Sequence, residues 1–168
     1  MLIWVLNGLS FAENCQHMAT KKMNQKRIVE FMKNYYNAYN QYAQDAETID
    51  MMDVFWAPEF VAVAYFPLPE YPRMDLEFWK GFLVMGHLQA LERLESEEII
   101  VDTKKMKVVT RVNVKHFDRF SGALLLELQG VGMYDLKIDA NNSLKITSMK
   151  FFCSNPMGLM ELYNMLPN

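Results

Sequence analysis

The stretch that decides the fold runs from Gly122 to Phe152: Gly122-Ala-Leu-Leu-Leu-Glu-Leu-Gln-Gly-Val-Gly-Met-Tyr-Asp-Leu-Lys137, then Ile138-Asp-Ala-Asn-Asn-Ser143, then Leu144-Lys-Ile-Thr-Ser-Met-Lys-Phe-Phe152. Asp139, Asn141, Asn142 and Ser143 are turn formers that accept left-handed backbone or bond their own main chain. Their flanks are long and β-rich, as central strands of a curved sheet are. Alternation puts Leu126, Leu128, Gly130, Gly132 and Tyr134 on one face. Glu127, Gln129, Val131 and Met133 fall on the other. The rest of the chain then reads as material that covers this sheet.

Upstream, Met106–Phe117 alternates in the same way. Val108, Thr110, Val112, Val114 and His116 form the inward set; Val109, Arg111, Asn113 and Lys115 face outward. Asp118-Arg-Phe-Ser-Gly122 is a hairpin turn, and residues 98–103 form a further strand. From Asn24 the period is helical, with Ile28, Phe31, Met32, Tyr35, Tyr39, Tyr42 and Ala46 on one stripe. Tyr35, Tyr36, Tyr39 and Tyr42 crowd this helix, and a buried phenol needs a partner for its hydroxyl. Tyr35 and Tyr39 are therefore candidates to face a cavity.

A shorter helix, Ile49–Phe55, is capped by Thr48 and ended by Pro58, with Asp53 solvated on it. A strand over Glu59–Phe66 follows, then a stiff Pro67–Pro72 loop that suits a pocket lip. Asp75 caps a third helix extending to Leu94, whose apolar face carries Trp79, Leu83, His87, Ala90, Leu91 and Leu94. Gly81 and Gly86 weaken it, so that it bends or lets another backbone approach. A last helix spans Pro156–Leu166.

At 168 residues, with 51% apolar and 22% charged residues, one domain with a real core is expected. The net charge of −3 gives no electrostatic footprint for nucleic acid. Fourteen methionines and 13% aromatics suit an adaptable apolar pocket. Cys15 and Cys153 form no framework, and His17, His87 and His116 are far apart, so neither metal nor another cofactor is expected. Residues 1–23 are apolar at the start but too short to span a bilayer and lack a basic leader. They read as an extension outside a single domain of residues 24–168, in a cytoplasmic protein without stable membrane insertion.

Helices followed by long antiparallel strands make an α+β order. It resembles the nuclear-transport-factor-2-like, or SnoaL-like, superfamily. Phe55-Trp56-Ala57-Pro58-Glu59-Phe60-Val61 is similar to that family's passage from second helix to first strand. Val131–Ile146 is similar to its penultimate strand, turn and final strand, and Asn155-Pro-Met-Gly-Leu-Met-Glu-Leu-Tyr163 to the tail of the cyclases. The resemblance implies a strongly curved antiparallel sheet wrapped around a long N-terminal helix, forming a conical α+β barrel with a cavity. Candidate lining residues are Tyr35, Tyr39, Trp56, Leu128 and Phe151.

Family site residues transfer poorly. The isomerases' proton-shuttling Asp falls on Ala64 or Tyr65, their oxyanion-stabilising Asp on Tyr134, and the cyclases' tail Asp on Asn155, an amide that cannot abstract a proton. Three readings follow. One is a pocket protein that binds a small, largely apolar molecule. Another is an isomerase, dehydratase or cyclase using His87 or His116 as base and Tyr134 as hydrogen-bond donor, against which the lack of an inward Asp counts. The third is a dimerisation module pairing through Leu125, Gln129, Val131 and Met133 on the outer sheet face; a homodimer is compatible with all three.

Overall fold

The computed structural model describes residues 24–65 and 72–163. The 1–23 extension and nearly all of the expected Pro67–Pro72 lip lie outside the described residues. Helix α1 (Gln25–Tyr42) starts where the Asn24 side chain accepts the Arg27 N–H at 2.8 Å. A 3-10 helix, Ala46–Val54, follows, then strands β1 (Trp56–Ala64) and β2 (Arg73–Asp75). Helix α2 (Leu76–Gln89) is capped by Asp75, which accepts the Phe78 N–H at 2.9 Å. Strands β3 (Ala90–Asp102), β4 (Lys107–Asp118), β5 (Leu124–Ile138) and β6 (Leu144–Cys153) and helix α3 (Pro156–Leu162) complete the order.

The six strands form one sheet in the order β2-β1-β6-β5-β4-β3. Its pairs are antiparallel except β1 with β6, which run parallel. Register shifts at Ser96/Glu98, His116/Phe117 and Asp135/Leu136 add bend to the three longest strands. Helix α1 lies against the concave side, where Ile28, Met32, Tyr35, Tyr36, Tyr39 and Tyr42 are all buried. The alternation expected for β4 and β5 is the one present: Val108, Thr110, Val112, Val114, His116, Leu128 and Tyr134 are buried. Leu125, Val131 and Met133 are exposed on the outer face. Among the described residues no helix is long and apolar enough to cross a membrane.

The β5–β6 turn works by the chemistry of its residues. Asp139 Oδ1 accepts the N–H groups of Asn141 and Ser143, and Asn142 takes a left-handed φ of 60°. Elsewhere the boundaries differ from the sequence reading. The second helix is 3-10, begins at Ala46 and is capped by Asp45 rather than Thr48. Pro58 lies within β1 instead of ending a helix, in the interval where the β1–β6 register shifts, since it has no N–H for a ladder. Helix α2 stops at Gln89, five residues before Leu94, and the chain enters β3 at once. That last correction relocates Glu92, and with it the site.

Candidate functional site

In β3 the residues at Ala90, Glu92 and Leu94 share one face of the sheet, and the first two are buried. Glu92 sits directly opposite His116 of β4 in the ladder, so the register itself makes a cross-strand acid–imidazole pair. Helix α1 locks this edge in place. The Asn40 amide accepts the Leu94 N–H at 2.7 Å and donates to the Leu94 carbonyl at 2.8 Å, and Gln44 donates to the Glu92 carbonyl at 3.2 Å. Asn40 thus substitutes for a neighbouring strand.

Glu92 is 6% exposed and its Oε2 gathers three groups. His87 Nε2 is 3.0 Å away, His116 Nε2 3.2 Å, and the Tyr163 hydroxyl donates at 2.9 Å. The Tyr163 oxygen is also 3.1 Å from His116 Nε2. Burial opposes ionisation of Glu92, but hydrogen bonds from His116 and His87 and their charges outweigh it, holding the carboxyl far below the usual carboxylate range. An ionised carboxylate only accepts, so both imidazoles present Nε2–H to it. The Tyr42 hydroxyl meets His87 Nδ1 at 2.6 Å, and Arg119 in the β4–β5 turn donates to the His87 carbonyl from Nε at 2.8 Å. His116 Nδ1 is buried with no hydrogen-bond partner. In its neutral form this imidazole has a free lone pair there, while its other nitrogen is held by a carboxylate.

Tyr163 reaches Glu92 because α2 has a glycine where its ring passes. A Cβ on Gly86 would lie 2.6 Å from the Tyr163 ring. The close neighbour expected for this helix is another backbone; at Gly86 it is instead an aromatic side chain.

A second polar cluster is neutral. The Tyr36 hydroxyl lies 2.5 Å from Thr110 Oγ1 and 2.9 Å from the Tyr134 hydroxyl. Burial pushes both phenols up from their ordinary value, so they are hydrogen-bonding groups and not anions. Gly132 makes room for Tyr134, whose hydroxyl would be 2.5 Å from a Cβ there. This glycine therefore seats a phenol.

Both clusters open onto one cavity of about 60 Å³, room for several water-sized groups. Glu92, His116, Tyr163 and Tyr39 line it, and Tyr36 and Tyr134 supply the neutral hydroxyls. Most of the remaining wall is apolar: Ala64, Trp79, Phe82, Leu83, Val112, Val114, Leu128, Met149, Phe151 and Leu159. Of the residues singled out from sequence, Tyr35, Tyr39, Leu128, Phe151, His116 and Tyr134 are in this lining. Trp56 is not; it is buried in the core beside Phe60, with ring centroids 5.7 Å apart. His87 is buried too, but behind Glu92 and outside the lining. Ala64, one of the two positions aligned with the isomerases' acid, lines the cavity and offers it only a methyl group. Asn155 caps α3 by accepting the Gly158 N–H at 3.0 Å, a structural task. Glu92, Tyr36 and Tyr163 are the site residues that sequence reasoning missed.

No family model and no curated protein sequence matches the chain. Solved structures do. PrhC from Penicillium brasilianum superposes with a TM-score of 0.66 at 8% identity, over 84% of this chain and 90% of that one. The fold is the SnoaL-like, NTF2-like cone. A Jannaschia sp. CCS1 protein assigned to the SnoaL-like polyketide cyclases matches this chain with TM-score 0.58, 15% identity, and coverage of 83% and 92%. BvnE pinacolase from Penicillium brevicompactum matches with TM-score 0.64, 14% identity, and coverage of 84% and 94%.

Proposed function

We propose that this SnoaL-like protein binds a small, largely apolar molecule bearing a carbonyl or hydroxyl oxygen and moves a proton on it, as a cofactor-independent isomerase, cyclase or lyase. The observation that carries this is the buried Glu92 carboxyl, its Oε2 3.2 Å from His116 Nε2 and its ionised form favoured by the two imidazoles, in a largely apolar cavity. Removing a carboxylate from water costs several kcal/mol even when it is partnered. A purely structural core is served as well by apolar residues.

In this reading His116 Nδ1 is the general base. The imidazolium formed is stabilised by Glu92 through Nε2–H, and Glu92 itself keeps no proton. Tyr134 donates a hydrogen bond to the oxygen that gains negative charge, backed by the Tyr36 hydroxyl 2.9 Å from its own, in a site where water does not weaken it. Trp79, Phe82 and Leu128 exclude water and accept the hydrocarbon body of the molecule. His87 does not touch the ligand, so the base role falls to His116 alone. A pinacolase and a protein assigned to the polyketide cyclases share the fold, which adds to a reactive reading of the cavity. Cytoplasmic placement and a homodimer through the exposed Leu125, Val131 and Met133 face belong to the same proposal.

The test is a panel of small apolar ketones incubated with the protein in deuterated water, preceded by native mass spectrometry to identify a co-purified ligand. Deuterium should enter next to the carbonyl with wild-type protein. His116→Gln should slow that entry by about 10²- to 10⁴-fold while binding persists. Tight binding with no exchange by wild-type protein would reduce the function to binding.

A further inference from the structure

Two imidazoles lean on one oxygen of Glu92, and the reaction proposed above uses only one of them. One negative charge balances one imidazolium, so the rings compete for it. What faces each ring decides the competition. Around His87 stand Tyr39 and Tyr42 from α1 and Glu92 from β3, with the Arg119 guanidinium on its carbonyl oxygen. Around His116 stand Glu92 from β3 and Tyr163 at the end of α3.

The far nitrogens differ. His87 Nδ1 is 2.6 Å from the Tyr42 hydroxyl, which donates to a bare nitrogen or, by rotating, accepts from a protonated one. A proton on His87 Nδ1 would therefore leave both of its N–H groups satisfied. His116 Nδ1 has no partner, so a proton there is an orphaned buried donor.

We propose that His87, supported by Tyr42, is a positioning residue that holds the site's extra proton and thereby leaves His116 as the free base. This rests on the reading of His116 as the base. It adds a reason for the second imidazole: a cation already paired with Glu92 makes His116 a temporary proton holder. A group that must return its proton to the same ligand works best when it does not bind that proton strongly.

The test needs no substrate. The chain has three histidines, and long-range ¹⁵N–¹H correlation separates neutral from charged rings. A neutral ring shows two widely split nitrogen shifts, and an imidazolium shows two nearly equal ones. At neutral pH the wild-type protein should show His87 as imidazolium and His116 as the neutral Nε2–H tautomer. In His87→Gln, the imidazolium pattern should move to His116 at the same pH. Tyr42→Phe, which keeps both rings, should move part of the population in the same direction. A charged His116 in wild-type protein, or a His116 pattern untouched by either variant, would overturn the proposal. A merely structural His87 predicts the latter, because a loosened Glu92 gives His116 no added reason to charge. Failure of the deuterium assay would bear on the base role of His116 and leave these spectra as they are.

Discussion

The inner and outer faces of the β3–β4 ladder carry the same kinds of side chain and put them to different use. Outside, Lys115 lies 3.2 Å from Glu95, and Arg111 lies 2.9 Å from Glu97, in pairs that water reaches. Inside, Glu92 meets His116 at 3.2 Å with both side chains out of water. The distances are alike. Solvent makes the difference: exposed pairs contribute about 0–1 kcal/mol, whereas removing one member of a buried pair costs about 3–5 kcal/mol. A two-residue alternation along one strand thus separates a solvated surface from a buried ionisable interior.

The largest break of that contrast is Glu92→Ala, which should cost about 3–5 kcal/mol in denaturant unfolding. It strands His87, His116 and Tyr163 together. Next comes Gly86→Ala. Overpacking against the Tyr163 ring should cost about 1–3 kcal/mol and outweigh the helix gain of about 1 kcal/mol from alanine. A net stabilisation would show that the ring is not wedged where it meets Glu92. Glu95→Gln, on the outer face, should change stability by less than about 0.5 kcal/mol. A large effect there would erase the comparison.

The pH dependence sharpens it. The Glu92 carboxyl lies below its ordinary value of 4.5 in the folded protein. Its contribution is therefore fully present above that value and is lost as pH falls towards the folded one. The stability gap between wild-type protein and Glu92→Gln should be constant from about pH 5 upward as far as this carboxyl decides it, and should narrow below about pH 4. Chemical denaturation at several pH values measures this directly.

Much of the fold was legible because strand periodicity survives in β4 and β5, where every inward residue from Val108 to His116 and from Leu128 to Tyr134 lies on its expected side. Helix α1 was legible from its tyrosines, although Tyr36 fell off the apolar stripe. It is buried because the concave sheet wraps more of the helix than one stripe. Glu92 was hidden by a boundary. Ala90, Leu91 and Leu94 continue the helical spacing of Trp79, Leu83 and His87, so the chain reads as one helix through Leu94. The signal available was the alternation Ala90, Glu92, Leu94 running into the β-rich Ile99-Ile100-Val101 segment. Tyr163 had no local signal, since its role depends on the approach of α3 to Gly86.

The central claim is that Glu92 is an ionised carboxylate held inside the cavity by two imidazoles and a phenol. Carboxyl ¹³C NMR of glutamate-labelled protein, with the resonance assigned by Glu92→Gln, tests it most directly. Stepping from about pH 6 to about pH 3.5 spans the ordinary glutamate range. The Glu92 signal should hold its ionised position throughout. A signal already neutral at about pH 4.5 or above would contradict the account.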